Sequence, residues 1–244
     1  MKQFSKKQSI ETALTEINIF KLIQQHHHEA HQYISKLSSH ETTSKDLFLI
    51  YELGGTALSK QMFDVKGEFY EGARVYFVHH QQFYFMLKKD KPLFKKFIST
   101  MLWILDFLSS LDIIHADIKP DNILVTYENK ELKSLQLIDF GSSFEFSKAK
   151  YIGMSTPEYL CPEILSYLAN KEREDAQSLQ ILLQKLNPWT YDMWSLGTII
   201  LEIAIGFPVW LSYKGRMKTG KGKNVVGYGL FGSTGRDVKK IINK

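Results

Sequence analysis

The ten residues HADIKPDNIL, at positions 115 to 124, constrain the fold of this chain more than any other stretch. They place a carboxylate (Asp117), an ammonium group (Lys119) and a carboxamide (Asn122) within six positions, and aliphatic residues flank them. Polar and apolar residues alternate with neither a helical nor a strand period here. We therefore predict an ordered loop that presents the three polar side chains to a ligand.

The segment after this loop predicts a β-hairpin. Two short apolar runs of strand length lie at 123–126 and 135–138, and the polar stretch between them predicts a turn near Asn129. Asp139 follows the second strand directly, and Gly141 allows the chain to turn sharply after it. A second carboxylate therefore stands at a strand end close to the first loop.

These residue types fit phosphoryl transfer. A transferred phosphoryl group spreads negative charge over its oxygens, so catalysis needs metal ions, a cation and a carboxylate that orients the attacking hydroxyl. Asp117 can orient a hydroxyl, Lys119 can neutralise phosphate charge, and Asn122 and Asp139 offer the oxygen atoms that Mg²⁺ prefers.

The combination resembles the eukaryotic protein kinases. In that family, a catalytic loop similar to HADIKPDNILV is joined by a hairpin to a metal-binding Asp-Phe-Gly sequence, which here begins 17 residues after Asn122. STPEYLCPEIL, residues 155–165, resembles the end of the activation segment, and YDMWSLGTIILEI, residues 191–203, resembles the central buried helix. Four motifs in the family's order make this resemblance specific.

The resemblance implies roles for individual residues of the larger lobe. Asp117 is expected to act as catalytic base and Lys119 to contact the γ-phosphate, while Asn122 and Asp139 are expected to bind Mg²⁺. Thr156 corresponds to the threonine whose hydroxyl bonds the catalytic aspartate and lysine.

Further roles follow for the region before the loop. The backbone of Glu52, Leu53 and Gly54 corresponds to the hinge that binds adenine, and Tyr51 corresponds to the residue that guards the inner pocket. Glu16 falls where the family's regulatory helix carries its glutamate; without the resemblance it would be interpreted as a solvated helix residue.

Two positions favour one branch of the family. Ala116 replaces the usual arginine before the catalytic aspartate and, with DFGSS, favours the dual-specificity tyrosine-regulated, Clk-like and SR-protein kinase branch. Without that arginine, we expect activation-segment phosphorylation to be a weak switch. Asp192 is expected, by resemblance, to hydrogen-bond the catalytic-loop backbone; alone it would be interpreted as a charge at a helix start.

The smaller lobe matches incompletely. The family holds the phosphates with a glycine-rich loop and a lysine that pairs with the helix glutamate. Before Glu16 we predict neither, because Lys2, Lys6 and Lys7 lie in MKQFSKKQS, which has no strand pattern. We therefore predict an α+β, kinase-like chain: a remnant of the amino-terminal lobe and hinge at 1–54, with regulatory helix and hinge strand, and a mainly helical carboxyl-terminal lobe at 55–244 whose last helices are incomplete.

The function expected from the resemblance is transfer of the ATP γ-phosphate to Ser or Thr of protein substrates, with Mg²⁺. The alternative is a non-catalytic scaffold of kinase shape. The missing phosphate-clamping lysine favours it, whereas the presence of Asp117, Lys119, Asn122 and Asp139 disfavours it. For the chain as given we expect little turnover. No nucleic-acid or membrane partner is expected, and the sequence leaves the oligomeric state open.

Composition adds limits on the setting. The single cysteine, Cys161, excludes a disulfide within the chain, and the start lacks the apolar run of a secretory signal, so a cytoplasmic or nuclear location is expected. We expect Cys161 to be a packed small residue and His26, His27, His28 and His31 to mark a solvated helix end.

Apolar spacing predicts helices at 11–25 and 90–110, a polar helical insertion at 166–186 and a buried core helix at 193–211. The last run is nearly long enough to span a membrane, but Glu202, Gly206 and Pro208 interrupt it. A basic run at 213–223, which raises the net charge toward +5, predicts a solvated loop.

Overall fold

The architecture is taken from a computed structural model of the chain. It describes residues 1–5, 7–26, 28–52, 54–70, 73–129, 131–153, 155–169, 176–211, 216–218, 224–226, 231–232 and 235–236. Helices and small, mainly antiparallel sheets make up these residues, which confirms the predicted α+β class.

The first part of the chain is a three-stranded antiparallel sheet covered by one helix. The strands lie in the order β1-β3-β2, and the elements are β1 (Lys2–Phe4), α1 (Lys7–Gln25), β2 (Leu37–Thr42) and β3 (Leu47–Tyr51). One face of α1 is apolar because its hydrophobic residues recur at helical spacing. Ala13 and Ile17 on that face pack against Leu47 and Leu49 of β3. The predicted helix and strand are confirmed, with the helix starting earlier.

The first residues do form a strand, so the prediction that they lack one is wrong. Lys2 pairs with Leu49 and Phe4 with Leu47 across β1 and β3. Three residues carry too little periodicity to reveal a strand. It forms because β3 offers a hydrogen-bonding edge and an apolar face on which Phe4 packs.

The second part contains most of the helices. It continues with β4 (Thr56–Ala57), α2 (Leu58–Met62), β5 (Phe63–Tyr70), β6 (Ala73–His80), α3 (Gln82–Lys89), α4 (Lys91–Ser110) and β7 (Ile113–Ile114). The predicted helix α4 is confirmed: the Asp90 carboxylate caps it by accepting from the Leu93 N–H at 3.0 Å, and Pro92 lies in its first turn. Its buried face includes Phe97, Met101 and Leu108, which belong to the main core.

The predicted hairpin after the loop at 115–122 is confirmed. Its strands, β8 (Ile123–Glu128) and β9 (Glu131–Leu137), are longer than predicted, and Asn129 at the turn has φ of 52°. The backbone of Ser35 bonds to Leu137 at 2.9 Å, which ties the hairpin to the first part of the chain.

The remaining described elements are β10 (Phe144–Glu145), α5 (Pro162–Ala169), α6 (Ala176–Lys185), α7 (Pro188–Ile205), β11 (Arg216–Lys218), β12 (Asn224–Val226), β13 (Phe231–Gly232) and β14 (Gly235–Arg236). The described residues of the predicted insertion at 166–186 include the end of α5 and all of α6, and its central residues 170–175 lie outside the described residues. The predicted core helix corresponds to α7, which starts earlier than predicted. It also ends earlier, because the chain leaves the helix at Gly206, where φ is 87°. Within the described residues, no helix has the length and apolarity needed to cross a bilayer.

A second sheet was not predicted. The hairpin of β5 and β6 is extended by β11, which lies parallel to β6, and by β12. Within the basic run at 213–223, Arg216–Lys218 form a strand where a loop was predicted, and the other residues of the run lie outside the described residues. The strand pairs there because the outer edge of β6 is open to a backbone partner.

The histidine-rich stretch is partly packed. α1 ends at Gln25, and His28 caps the 3₁₀ helix Glu29–Tyr33 by accepting from the Ala30 N–H at 3.0 Å. The His28 ring stacks on Phe107 of α4, with centroids 4.7 Å apart. His28 is therefore half-buried, where a solvated position was predicted, and His27 lies outside the described residues.

Candidate active site

The loop between β7 and β8 gathers the predicted polar residues around one carboxylate. Lys119 Nζ donates to Asp117 Oδ2 at 2.7 Å and to Thr156 Oγ1 at 2.8 Å. Thr156 donates in turn to Asp117 Oδ1 at 2.7 Å, and Asn122 Nδ2 donates to Asp117 Oδ2 at 2.9 Å. Four side chains that the sequence placed on two separate segments therefore form one connected network.

Asn122 and Asp139 are brought together through the backbone. The Ile138 N–H donates to the Asn122 carbonyl at 3.0 Å, so Asp139 follows a residue bonded to Asn122. Asp139 has φ of 67°, a left-handed conformation that costs about 1–2 kcal/mol for a residue with a side chain. Such strain persists where surrounding contacts hold the backbone, often at functional sites.

Lys2 completes the site from the other side. Its Nζ lies 3.0 Å from Glu16 Oε1 and 2.9 Å from Asp139 Oδ1. The prediction that no lysine before Glu16 could pair with it is therefore wrong: strand β1, which the sequence did not reveal, carries Lys2 to the buried Glu16 of α1. Its one sequence clue is the alternation of Lys2 and Phe4, which puts both side chains on the same face of a strand.

The Lys2 ammonium also sets the protonation of its neighbour. Burial alone would raise the pKa of Asp139, but the charge and hydrogen bond of Lys2, aided by His115 and the Gly141 N–H, hold that pKa below its ordinary value. The carboxylate is therefore ionised at neutral pH and suited to a cation.

Glu16 is buried, so the solvated interpretation of this residue does not apply. Its side chain is 1% exposed and accepts from the Phe140 N–H at 3.2 Å as well as from Lys2. The Phe140 ring packs on Phe20 of α1, with centroids 5.1 Å apart. Helix α1 is thereby joined to the segment that carries Asp139.

Asp192 braces the catalytic loop from α7. Its Oδ2 accepts from the His115 N–H at 2.7 Å and its Oδ1 from the Ala116 N–H at 2.9 Å. Burial raises the pKa of Asp192, and the nearby His115 and the two backbone donors oppose that rise. A buried carboxylate with both oxygens bonded fixes the backbone immediately before Asp117.

Lys2, Glu16 and Asp139 meet in a cluster that we call the Lys2 corner. Tyr51 lies beside it, at the end of β3. Lys2 Nζ is 5.4 Å from the centre of its ring, and burial, followed by the charge of Glu16, raises the pKa of the phenol. The ring is therefore a neutral wall against the ammonium group.

The predicted hinge follows Tyr51. The Glu52 N–H donates to the Lys36 carbonyl at 3.0 Å, Leu53 lies outside the described residues, and Gly54 passes the β8–β9 hairpin closely. Gly55 has a similar constraint: a Cβ there would lie 2.4 Å from the Val125 carbonyl oxygen. The connection between the two parts of the chain is thus packed against the strands that carry the catalytic loop.

A surface pocket of about 420 Å³ opens beside the Asp117 network. Its wall is formed by Lys119, Asp121, Asn122, Thr156, Glu158, Tyr159 and Trp210.

Cys161 follows Tyr159 by two positions and is buried, and burial raises the pKa of its thiol to about 11. The thiol is therefore protonated at neutral pH and serves in packing, as predicted.

Comparison with known proteins agrees with this geometry. A family model described as "Protein kinase domain" matches residues 1–226. The chain is 30% identical over 198 residues to a probable serine/threonine-protein kinase, dyrk2, from Dictyostelium discoideum, an alignment that covers 81% of this chain. It spans only 18% of the length of that relative. The match confirms the resemblance to the dual-specificity tyrosine-regulated branch, and the chain belongs to the protein kinase family.

Proposed function

We propose that this chain is a catalytic unit that transfers the ATP γ-phosphate to Ser or Thr hydroxyls of protein substrates, with Mg²⁺ as cofactor. The observation that carries the proposal is the bonding of Asp117 to Lys119, Thr156 and Asn122 in one network. Similarity to a probable serine/threonine-protein kinase supports the same substrate class.

Asp117 is the residue that orients the substrate hydroxyl. A carboxylate has about four lone-pair sites, and three donors already occupy Asp117, so about one acceptor site remains for a hydroxyl proton. The bound donors fix the direction of that site. Lys119, bonded to both Asp117 and Thr156, holds a positive charge where phosphate charge develops.

The oxygens of Asn122 and Asp139 fit a magnesium ion. Because Asn122 uses its Nδ2 on the Asp117 carbonyl and carboxylate, its Oδ1 is the atom left for a cation. The lowered pKa of Asp139 keeps its carboxylate charged, as a hard cation requires. Magnesium bound here would neutralise charge on the phosphate oxygens.

Lys2 is proposed to hold the α- and β-phosphates, with Glu16 orienting its ammonium group. The distance of 3.0 Å between Lys2 Nζ and Glu16 Oε1 supports this role. We further propose that the backbone of Glu52, Leu53 and Gly54 binds adenine, since this segment follows β3 and borders the same site. The division at residues 54 and 55 remains our proposal for the boundary between lobes.

The scaffold alternative loses its main argument. It was favoured by the lack of a cation opposite Glu16, and Lys2 supplies that cation. We therefore propose catalysis rather than binding alone, in a cytoplasmic or nuclear setting.

The proposal is tested by phosphoryl transfer from γ-labelled ATP to a mixed protein substrate, with phosphoamino-acid analysis of the product. We expect Mg²⁺-dependent label on Ser and Thr. Asp117→Asn should lower the rate by about 10²–10⁴-fold, the range of general acid–base assistance. Asp106→Asn, the same change at an exposed position of α4, is the matched control and should leave the rate unchanged. Equal rates for wild type and Asp117→Asn would refute the proposal.

A further inference from the structure

In the two residues before Asp117, each backbone N–H and each backbone carbonyl is hydrogen-bonded to a side chain. The N–H groups of His115 and Ala116 donate to Asp192, as described above. The His115 carbonyl accepts from Ser143 Oγ at 3.1 Å, and the Ala116 carbonyl accepts from Ser155 Oγ at 2.7 Å. All four backbone groups are therefore held by side chains of other segments.

The conformation of Ala116 makes these bonds necessary. Its φ of 64° is left-handed, which disfavours any residue with a Cβ by about 1–2 kcal/mol. The side chain of Ala116 is a single methyl group, which is buried in the cluster that includes Ile114 and Leu160. It is too short to bond another segment. The attachment of this residue to the rest of the site therefore depends on its backbone.

The two serines lie in or next to the two motifs that, by resemblance, begin and end the activation segment, Asp139-Phe140-Gly141 and STPEYLCPEIL. Ser143 follows Asp139 by four positions and is buried, and Ser155 directly precedes Thr156. Ser155 bonds residue 116 while Thr156 bonds residue 117, so two successive hydroxyls meet two successive residues of the loop. A shift of Ser155 would displace Thr156 from Asp117.

We propose that Ser143 and Ser155 are positioning residues, a serine clasp that fastens the catalytic loop to both ends of the activation segment and holds Asp117 in place without a phosphorylated side chain. The inference rests on the proposed function, because it concerns the same site. It extends that function by naming the uncharged bonds that do the work of the arginine that Ala116 replaces.

The first test is hydrogen exchange at the His115 and Ala116 amides in the full chain. Ser143 and Ser155 bond the carbonyls of the two residues, so Ser155→Ala and Ser143→Ala should each loosen the loop and speed exchange of its amides by about tenfold. Ser99→Ala is the matched control, because Ser99 also donates to a backbone carbonyl, that of Lys96, on α4. Unchanged exchange in both clasp variants would overturn the proposal.

The second test separates positioning from general stability. Ser155→Ala should lower kcat by about 10- to 100-fold, as expected for a misplaced reacting group, with little change in KM for ATP. Ser155→Thr keeps the hydroxyl and should restore most of kcat. Phosphatase treatment of the wild type should change kcat less than about twofold if no phosphate holds the loop.

The outcomes distinguish the two proposals. Loss of wild-type activity after phosphatase treatment, or a kcat of Ser155→Ala equal to wild type, would overturn the clasp. A wild type with no transfer at all, but with the exchange changes described above, would overturn the proposed function and leave the clasp supported.

Discussion

The catalytic loop and the Lys2 corner hold their charges by different means. At the loop, Asp192 is 5% exposed and spends both carboxylate oxygens on backbone N–H groups. At the corner, the side chains of Lys2 and Asp139 are 33% and 42% exposed and meet as an ion pair. Removing a hydrogen-bond partner from a buried carboxylate lowers the free energy of unfolding, whereas exposed ion pairs contribute little to it. We therefore expect the loop to govern both folding and catalysis, and the corner to govern nucleotide binding more than folding.

The largest effect is expected at the loop side of this comparison. Asp192→Asn replaces one acceptor by an NH₂ group that faces a backbone N–H, and the free energy of unfolding should fall by about 2–3 kcal/mol. Denaturant titration measures this change, and the rate of phosphoryl transfer should fall with it. Asp106→Asn serves as the control with the same chemical change on an exposed surface. A variant as stable as wild type would mean that the loop is held by other contacts.

The next effect is expected at the corner. Lys2→Ala should weaken MgATP binding by about 10- to 100-fold, because one charge contact to phosphate is lost. The free energy of unfolding should fall by about 1–2 kcal/mol, because the buried Glu16 carboxylate also loses a partner. Calorimetric titration and denaturant titration measure the two quantities. Lys66→Ala removes a comparable surface ion pair with Asp64, 3.5 Å long, and should change neither. Stability loss without loss of nucleotide binding would reverse the comparison.

The smallest effect sharpens the comparison with a second carboxylate of α7. Glu202 is fully buried; its Oε1 accepts from Tyr159 and the Val209 N–H, while its Oε2 has no hydrogen-bond partner among the described residues. Burial raises the pKa of Glu202 to about 7, the bonds from Tyr159 and Val209 oppose that rise, and the charge of Asp121 adds to it. The acid is thus half protonated near neutrality.

This raised pKa has a definite sign in stability. Between the unfolded value near 4.5 and about 7, the folded chain binds the extra proton, so its stability should fall as pH rises through this window. Glu202→Gln, which keeps an acceptor for Tyr159 and Val209, should flatten that decline by on the order of 1 kcal/mol. Glu11→Gln at an exposed position is the control, and an unaltered pH profile would contradict the assignment.

The contrast also explains what could be predicted from sequence. The catalytic loop is a local pattern: Asp117, Lys119 and Asn122 lie within six positions, and strand β8, which follows directly, has residues that alternate in burial. Asp139 follows at the end of the same hairpin. The short spacing of these residues was enough to predict that they act together. Thr156, on a distant segment, could be added only by resemblance.

The corner could not be predicted because it depends on distant pairing. Strand β1 has three residues and exists through its ladder with β3, some 45 residues later, so neither composition nor periodicity reveals it. The same holds for β11, whose basic residues pair with β6 across more than 130 positions. Short strands are decided by the partner edge, whereas long amphipathic helices such as α4 are decided by their own sequence.

The most direct measurement is anomalous diffraction from crystals of the chain grown with Mn²⁺ and a non-hydrolysable ATP analogue. If the three polar residues of the loop, Thr156 and Asp139 form one nucleotide site, an anomalous peak should lie within bonding distance of Asn122 Oδ1 and the Asp139 carboxylate, with phosphate density reaching Lys2. Nucleotide bound elsewhere, or a metal that touches neither residue, would contradict the assignment of this site.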